Sequence, residues 1–266
     1  MIYYILHEHL NIIQYISFRA IGAAITALMI SFLIGPKIIR TLTNHRFGEK
    51  IRKTGPDSHL QKEGTPSMGG MIILLSIILP TILWAKLNNY FIITIIIAIT
   101  WMGIIGFIDD YLKIKKNYSK GLIARYKLIG QVTIGLIISY IIIYSNDLIS
   151  FNIISTNKEI LDINSASISL PFIANGFLDI GVFLYILLVI LIITGTSNAI
   201  NLTDGLDGLA TGLVAISCMT FSTIAYATSR YDFSDYLNIF FIPGSEELFV
   251  FSLIIVGSCI GFLWFN

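Results

Sequence analysis

Three short segments hold residues whose types and spacing suit chemistry on a charged ligand. The first is FIDDYLK at 107–113, where Asp109 and Asp110 stand side by side at the end of an apolar run. Adjacent carboxylates at the C-terminal end of a helix lie in the negative half of its macrodipole, which disfavours each acid by about 0.3–1 kcal/mol. A divalent cation reverses that balance, because Mg2+ is commonly held by one or two carboxylates together with phosphate oxygens. The plainer reading is a water-boundary pair neutralised by the basic loop that follows, with Lys113 four residues beyond Asp109.

The second segment is NAINLTDGLDG at 198–208. It has no basic residue, two acids three apart in Asp204 and Asp207, a preceding Asn201, and two glycines, Gly205 and Gly208. One helix N-cap would account for one Asp. It would not account for Asn201, Asp204 and Asp207 beside glycines that let a ligand approach the backbone. The third segment, GTPSMGG at 64–70, contains Thr65 and a glycine pair. Alone it reads as a turn with a hydroxyl cap and a site of close helix approach. Its interest lies in which side of a membrane it faces.

The elements that must position these residues are apolar helices. The chain has 266 residues, 55% of them hydrophobic and 12% charged, with a mean hydropathy of +0.81. Soluble domains carry about 25% charged residues, so a water-soluble surface is excluded. Uncharged runs occupy 20–36, 64–85, 87–108, 128–146, 180–203, 208–229 and 248–266. A bilayer-spanning helix needs roughly 17–25 such residues. The runs are apolar throughout rather than alternating, which predicts seven helical spans and no barrel. With no repeat and no linker, residues 1–266 read as a single all-α transmembrane domain. The 147–179 stretch, rich in Ser, Asn and β-branched residues, predicts a small periplasmic hairpin. Residues 1–18 hold no Lys or Arg and no cleavage site; their Tyr3, Tyr4, Tyr15 and Phe18 suit the membrane interface. Cys218 and Cys259 fall inside predicted spans and read as small apolar residues.

Charge sets the orientation. Lys37, Arg40, Arg46, Lys50, Arg52, Lys53 and Lys62 follow the first run; Lys113, Lys115, Lys116, Lys120, Arg125 and Lys127 follow the third. The intervening loops on the other side hold only Lys86 and Lys158. The positive-inside rule makes the two basic loops cytoplasmic and the N-terminus external. Parity then brings all three segments to the cytoplasmic face. Acids for a metal and basic loops for phosphates predict Mg2+-assisted phosphoryl transfer on a phosphorylated substrate at the membrane surface. The alternative is a cation-coupled transporter, but its acids would be expected nearer the bilayer midplane. No nucleic-acid partner is expected.

The motifs are also those of a known family. TPSMGG at 65–70, GFIDDYLK at 106–113, KGLIARYK at 120–127, NAINLTDGLDG at 198–208 and GFLWFN at 261–266 resemble the phospho-N-acetylmuramoyl-pentapeptide transferases. These belong to the polyprenyl-phosphate N-acetylhexosamine-1-phosphate transferase superfamily. FGEKIRKTGPDSH at 47–59 is similar too, and SFRA at 17–20 with TPSMGG favours this branch over the N-acetylglucosamine-1-phosphate transferases. The resemblance covers essentially the whole chain. It implies transfer of phospho-N-acetylmuramoyl-pentapeptide from its UDP-activated form to undecaprenyl phosphate, giving lipid I and UMP, with Mg2+, at the bacterial inner membrane.

Carried over by position, Asp109 and Asp110 match the acidic pair that activates the lipid phosphate or holds the ion, with Asp110 as the metal ligand and the division of labour left open. Asn201, Asp204, Gly205, Leu206 and Asp207 match the nucleotide-binding loop, Thr65 a substrate-binding position, and Asn266 an asparagine beside the nucleotide and metal. Family members resemble ten-span bundles and continue past the equivalent of Asn266 into a Met-Gly-Asp metal ligand, an aromatic uracil contact and a His-rich loop. The resemblance therefore implies that this chain is either a fragment of a longer protein or a C-terminally truncated product, with an incomplete metal site and little or no turnover as it stands. Spans taken from a larger bundle would also leave Ser, Thr and Gly faces uncovered, so a second copy of the chain is a candidate partner.

Overall fold

A computed structural model describes residues 3, 11–44, 69–115, 121–144, 153–154, 160–161, 166–170, 177–204, 208–237, 239 and 241–265. After a short 3-10 turn at Asn11–Gln14, the helices are α1 (Ile16–Asn44), α2 (Gly70–Trp84), α3 (Tyr90–Lys115), α4 (Ala124–Tyr144), α5 (Gly181–Thr203), α6 (Leu209–Thr228), the short α7 (Tyr231–Leu237) and α8 (Glu246–Leu263). Six of these are long and apolar enough to cross a membrane, and α2 is a shorter apolar helix. The chain is thus a multi-pass membrane helical bundle. Residues 64–68, which the sequence assigns to the start of the second span, lie outside the described residues.

The predicted hairpin region contains two antiparallel pairs. Ile153–Ile154 pairs with Ile160–Leu161, and Ser167–Ser169 with Phe177–Asp179. Both are short, too short to carry a core of their own.

Around α8 lie α1, α2 and α6, and this is where the core sits: Ala20, Ala23, Ala27, Ile77, Val250, Phe251 and Ile254 are buried together. Small residues on α1 allow the approach, since dispersion contacts rather than the hydrophobic effect hold helices together in lipid. At Gly257 of α8 an added Cβ would run into the Ala24 carbonyl oxygen of α1, so glycine is obligatory there. The contacts Arg19–Glu247, Ala24–Gly257 and Phe32–Phe265 run in the same order along both helices, so α1 and α8 are parallel. Ser76–Ser258 and Gly69–Phe262 run in opposite order, so α2 is antiparallel to both. Gly70 and Met71 of α2 then face Phe107 and Asp110 of α3 across one crevice. The spans alternate in direction as the sequence predicts, and Gly69, Asp110 and Phe265 share one end of the bundle.

Several helices extend past the uncharged runs: α3 continues to Lys115 and α4 begins at Ala124. The first span was expected to begin after Arg19 and to end at Pro36, but α1 includes Arg19 and runs past Pro36 to Asn44. Proline lacks an N–H, yet lipid-exposed helices tolerate it where neighbours support the backbone. Arg19 is not a boundary residue in water. It is fully buried and forks onto Glu247, at 3.1 and 2.7 Å, while Glu247 also accepts the Lys86 backbone N–H at 2.9 Å.

Candidate active site at the acidic end of the bundle

The acidic pair sits in the last turns of α3, where carbonyls already make the end electronegative. Lys113, one turn on, neutralises both acids: its Nζ lies 2.9 Å from Asp109 Oδ2 and 3.1 Å from Asp110 Oδ1. The water-boundary pairing allowed by the sequence is therefore present. The two acids nevertheless differ. Asp109 Oδ1 also accepts the Leu122 backbone N–H at 2.7 Å, and its side chain is 13% exposed. Asp110 has Lys113 as its ion-pair partner, is 33% exposed, and lines the crevice of about 230 Å3 between α2 and α3.

Gly121 explains how the loop after α3 reaches Asp109. Its φ of +60° suits glycine, and an added Cβ would stand 2.6 Å from Asp109 Oδ1. Only a residue without a side chain lets the loop lie against the carboxylate so that the following N–H caps it. Asp109 thus anchors the loop that leads into α4, while Asp110 is left facing the crevice.

From α4, Lys127 donates from Nζ to Asn201 Oδ1 of α5 at 3.3 Å. Three residues further, Asp204 is the C-cap of α5, its backbone N–H donating to the Ile200 carbonyl. It is not the N-cap of α6, a position taken by Gly208 in a left-handed conformation with φ of 72°. Although solvent reaches Asp204, partial burial pushes its carboxyl above the usual carboxylate range. The negative charge of Asp110 pushes the same way, and Lys113 draws part of the shift back. Asp204 and Asp110 are therefore near enough to repel, and both stand at helix C-termini.

The structure brings Asp109, Asp110, Asn201 and Asp204 to one end of the bundle, with Lys113 and Lys127 among them. Thr65, Gly205, Leu206, Asp207 and Asn266 lie outside the described residues. Gly69 and Gly70, the last residues of the TPSMGG motif, open α2 at this same end, and Gly70 lines the crevice beside Asp110. No cluster of three or more metal-ligating side chains forms among the described residues. Sequence reading missed the roles of Gly121 and of the Lys127–Asn201 contact. The signal was present in KGLIARYK, but only tertiary placement shows what those residues touch.

Comparison with known proteins shows the family to which the chain belongs. The model of glycosyl transferase family 4 matches residues 92–266, which include the acidic pair and the NAINLTDGLDG loop. The phospho-N-acetylmuramoyl-pentapeptide-transferase of Endomicrobium trichonymphae is 42% identical over 96% of this chain and 67% of its own length. That of Chloroherpeton thalassium is 44% identical over 97% of the chain and 66% of its own length. That of Pelodictyon phaeoclathratiforme is 44% identical over the whole chain and 70% of its own length. The chain spans about two thirds of the length of the curated relatives it matches, and by likeness of this extent it belongs to glycosyl transferase family 4, with the phospho-N-acetylmuramoyl-pentapeptide-transferases as its relatives.

Proposed function

We propose that this chain takes part in the transfer of phospho-N-acetylmuramoyl-pentapeptide from its UDP-activated form to undecaprenyl phosphate, at the cytoplasmic face of a bacterial inner membrane. The observation that carries the reading is the gathering of two acidic segments at one end of the bundle: the pair at 109–110 is tied to the entrance of α4 through the Leu122 N–H, and Lys127 of α4 reaches Asn201, three residues before Asp204 on α5. Two acids that repel across separate helix ends, with Lys113 and Lys127 close by, suit a ligand that is both cationic and phosphorylated. The basic loops on either side of the acidic end favour the cytoplasmic side. Midplane acids, which a cation-coupled transporter would need, are not among the described residues of this site.

The donor set fits Mg2+: hard carboxylate oxygens, few enough to leave room for phosphate oxygens. Asp110 and Asp204 would hold it, and when bound it would neutralise the diphosphate. In the transfer, an oxygen of the lipid phosphate forms a bond to the β-phosphorus of the nucleotide sugar. The bond from that phosphorus to the bridging oxygen breaks, and UMP leaves with the electron pair. Lys113 and Lys127 offset charge on the phosphates, and Asn201 with Asp204 orients the nucleotide. Asp109, held by Lys113 and the Leu122 N–H, keeps the α3–α4 loop in place beside Asp110.

The test starts with donor binding. The chain in nanodiscs should bind UDP-N-acetylmuramoyl-pentapeptide in the presence of Mg2+. Asp204→Asn should weaken that binding by about tenfold or more, equivalent to roughly 1.4 kcal/mol. Any UMP released on adding undecaprenyl phosphate should vanish in Asp110→Asn. Absence of donor binding by the unaltered chain, or indifference to both substitutions, would refute the reading.

A further inference from the structure

Gln131 lies well inside α4, seven residues beyond its start and about 10 Å along the axis, where an amide has no water to bond. It is 1% exposed. Its amide is fully engaged with α5: Nε2 donates to Ser197 Oγ at 3.0 Å and to Asn198 Oδ1 at 3.3 Å, and Oε1 accepts from Asn198 Nδ2 at 3.2 Å. The two amides thus face each other and exchange bonds in both directions.

One turn nearer the acidic end stands the Lys127–Asn201 contact, at 3.3 Å. Positions 127 and 131 are successive on one face of α4, and 198 and 201 on one face of α5, so the two contacts form a ladder between the helices. A turn deeper, Gly135 lets α4 approach the Ile190 backbone, where an added Cβ would lie 3.1 Å from Ile190 Cα. This ladder has little help. None of the described residues of α5 is buried, and α4 is its main neighbour. The rotation of α5 about its axis, and with it the direction in which Asn201 and Asp204 point, therefore rests on the polar rungs.

We infer that Gln131 is a positioning residue for the last turn of α5: its reciprocal amide pair with Asn198 fixes the rotation of α5 and so presents Asn201 and Asp204 to the nucleotide end of the donor. The inference rests on the transferase reading for its consequence, but not for its geometry. Gln131 touches no substrate.

Two measurements separate those parts. Spin labels at Leu33→Cys and Leu202→Cys, in a chain carrying Cys218→Ala and Cys259→Ala, report the α1–α5 distance in nanodiscs without any substrate. Gln131→Met, which keeps the length and removes the amide, should broaden that distribution; the exchange Q131N/N198Q, which restores facing amides, should narrow it again. Should Gln131→Met yield no folded protein, Gln131→Asn alone shortens the reach and makes the same comparison. On the binding side, Gln131→Met should raise the Kd for UDP-N-acetylmuramoyl-pentapeptide about tenfold and leave that for undecaprenyl phosphate unchanged. An unchanged distance distribution, or equal losses for donor and lipid, would overturn the inference. If the unaltered chain binds no donor, the transferase reading fails while the distances still decide the role of Gln131.

Discussion

Two neighbouring aspartates that look alike in the sequence do different work in the fold. Asp109 is bound to Lys113 and to the Leu122 N–H, whereas Asp110 faces the crevice and acts on Asp204 through its charge. Asp204 carries the cost of that proximity. An acid whose native pKa is raised above its unfolded value contributes no penalty below the unfolded value, about 3.9 for Asp. The penalty grows as pH rises through the native value and is fully present above it. Asp204→Asn should therefore raise the thermal midpoint slightly at neutral pH, by an amount that fades as the pH is lowered towards about 4. Melting curves of the two proteins in nanodiscs at several pH values would check this. A loss of stability at neutral pH would show that Asp204 is held by a cationic partner instead of being repelled by Asp110.

The bundle of long apolar helices was legible from uncharged runs, because lipid demands long apolar segments. What joins the helices was not legible. Gln131 is an isolated polar residue in an apolar run, and its partners Ser197 and Asn198 are more than sixty positions away. Gly257 likewise resembles any other small residue in a span, yet it touches the Ala24 backbone. Gly257→Val should force α1 and α8 apart and cost about 1–3 kcal/mol, the usual penalty for overpacking. Gly106→Ala, where nothing lies within 4 Å of the added carbon, should be close to neutral in the same unfolding assay. Equal effects at the two glycines would contradict the packing described for α8.

Across the whole molecule, the end opposite the acidic site is tied together by charge. Arg19 and Glu247 are 228 positions apart and both fully buried, and with the Lys86 backbone they join α1, the loop after α2, and α8. The sequence showed SFRA as a family motif and Glu247 as the residue just before the last uncharged run; their pairing could not be read, because neither lies near the other in the chain. Removing one partner strands the other charge in a site without water. Arg19→Leu should therefore cost about 3–5 kcal/mol of stability, while replacing both residues by apolar ones of similar size should cost far less. Arg19→Lys should not restore the pair, since an ammonium cannot make the two-pronged contact. Comparable melting of the single and double variants would show that the pair is not a lock. At the acidic end, by contrast, α5 has no buried residue among those described and depends on its polar contacts with α4.

The account turns on Asp110 and Asp204 acting on one ligand, and a double-mutant cycle on donor affinity tests that claim most directly. Binding of UDP-N-acetylmuramoyl-pentapeptide in Mg2+ would be measured for the unaltered chain, Asp110→Asn, Asp204→Asn and the double variant. Groups that share a ligand are coupled, by about 0.5–3 kcal/mol in such cycles, so the double variant should lose little more than the worse single one. Losses that simply add would mean that the two aspartates serve separate sites.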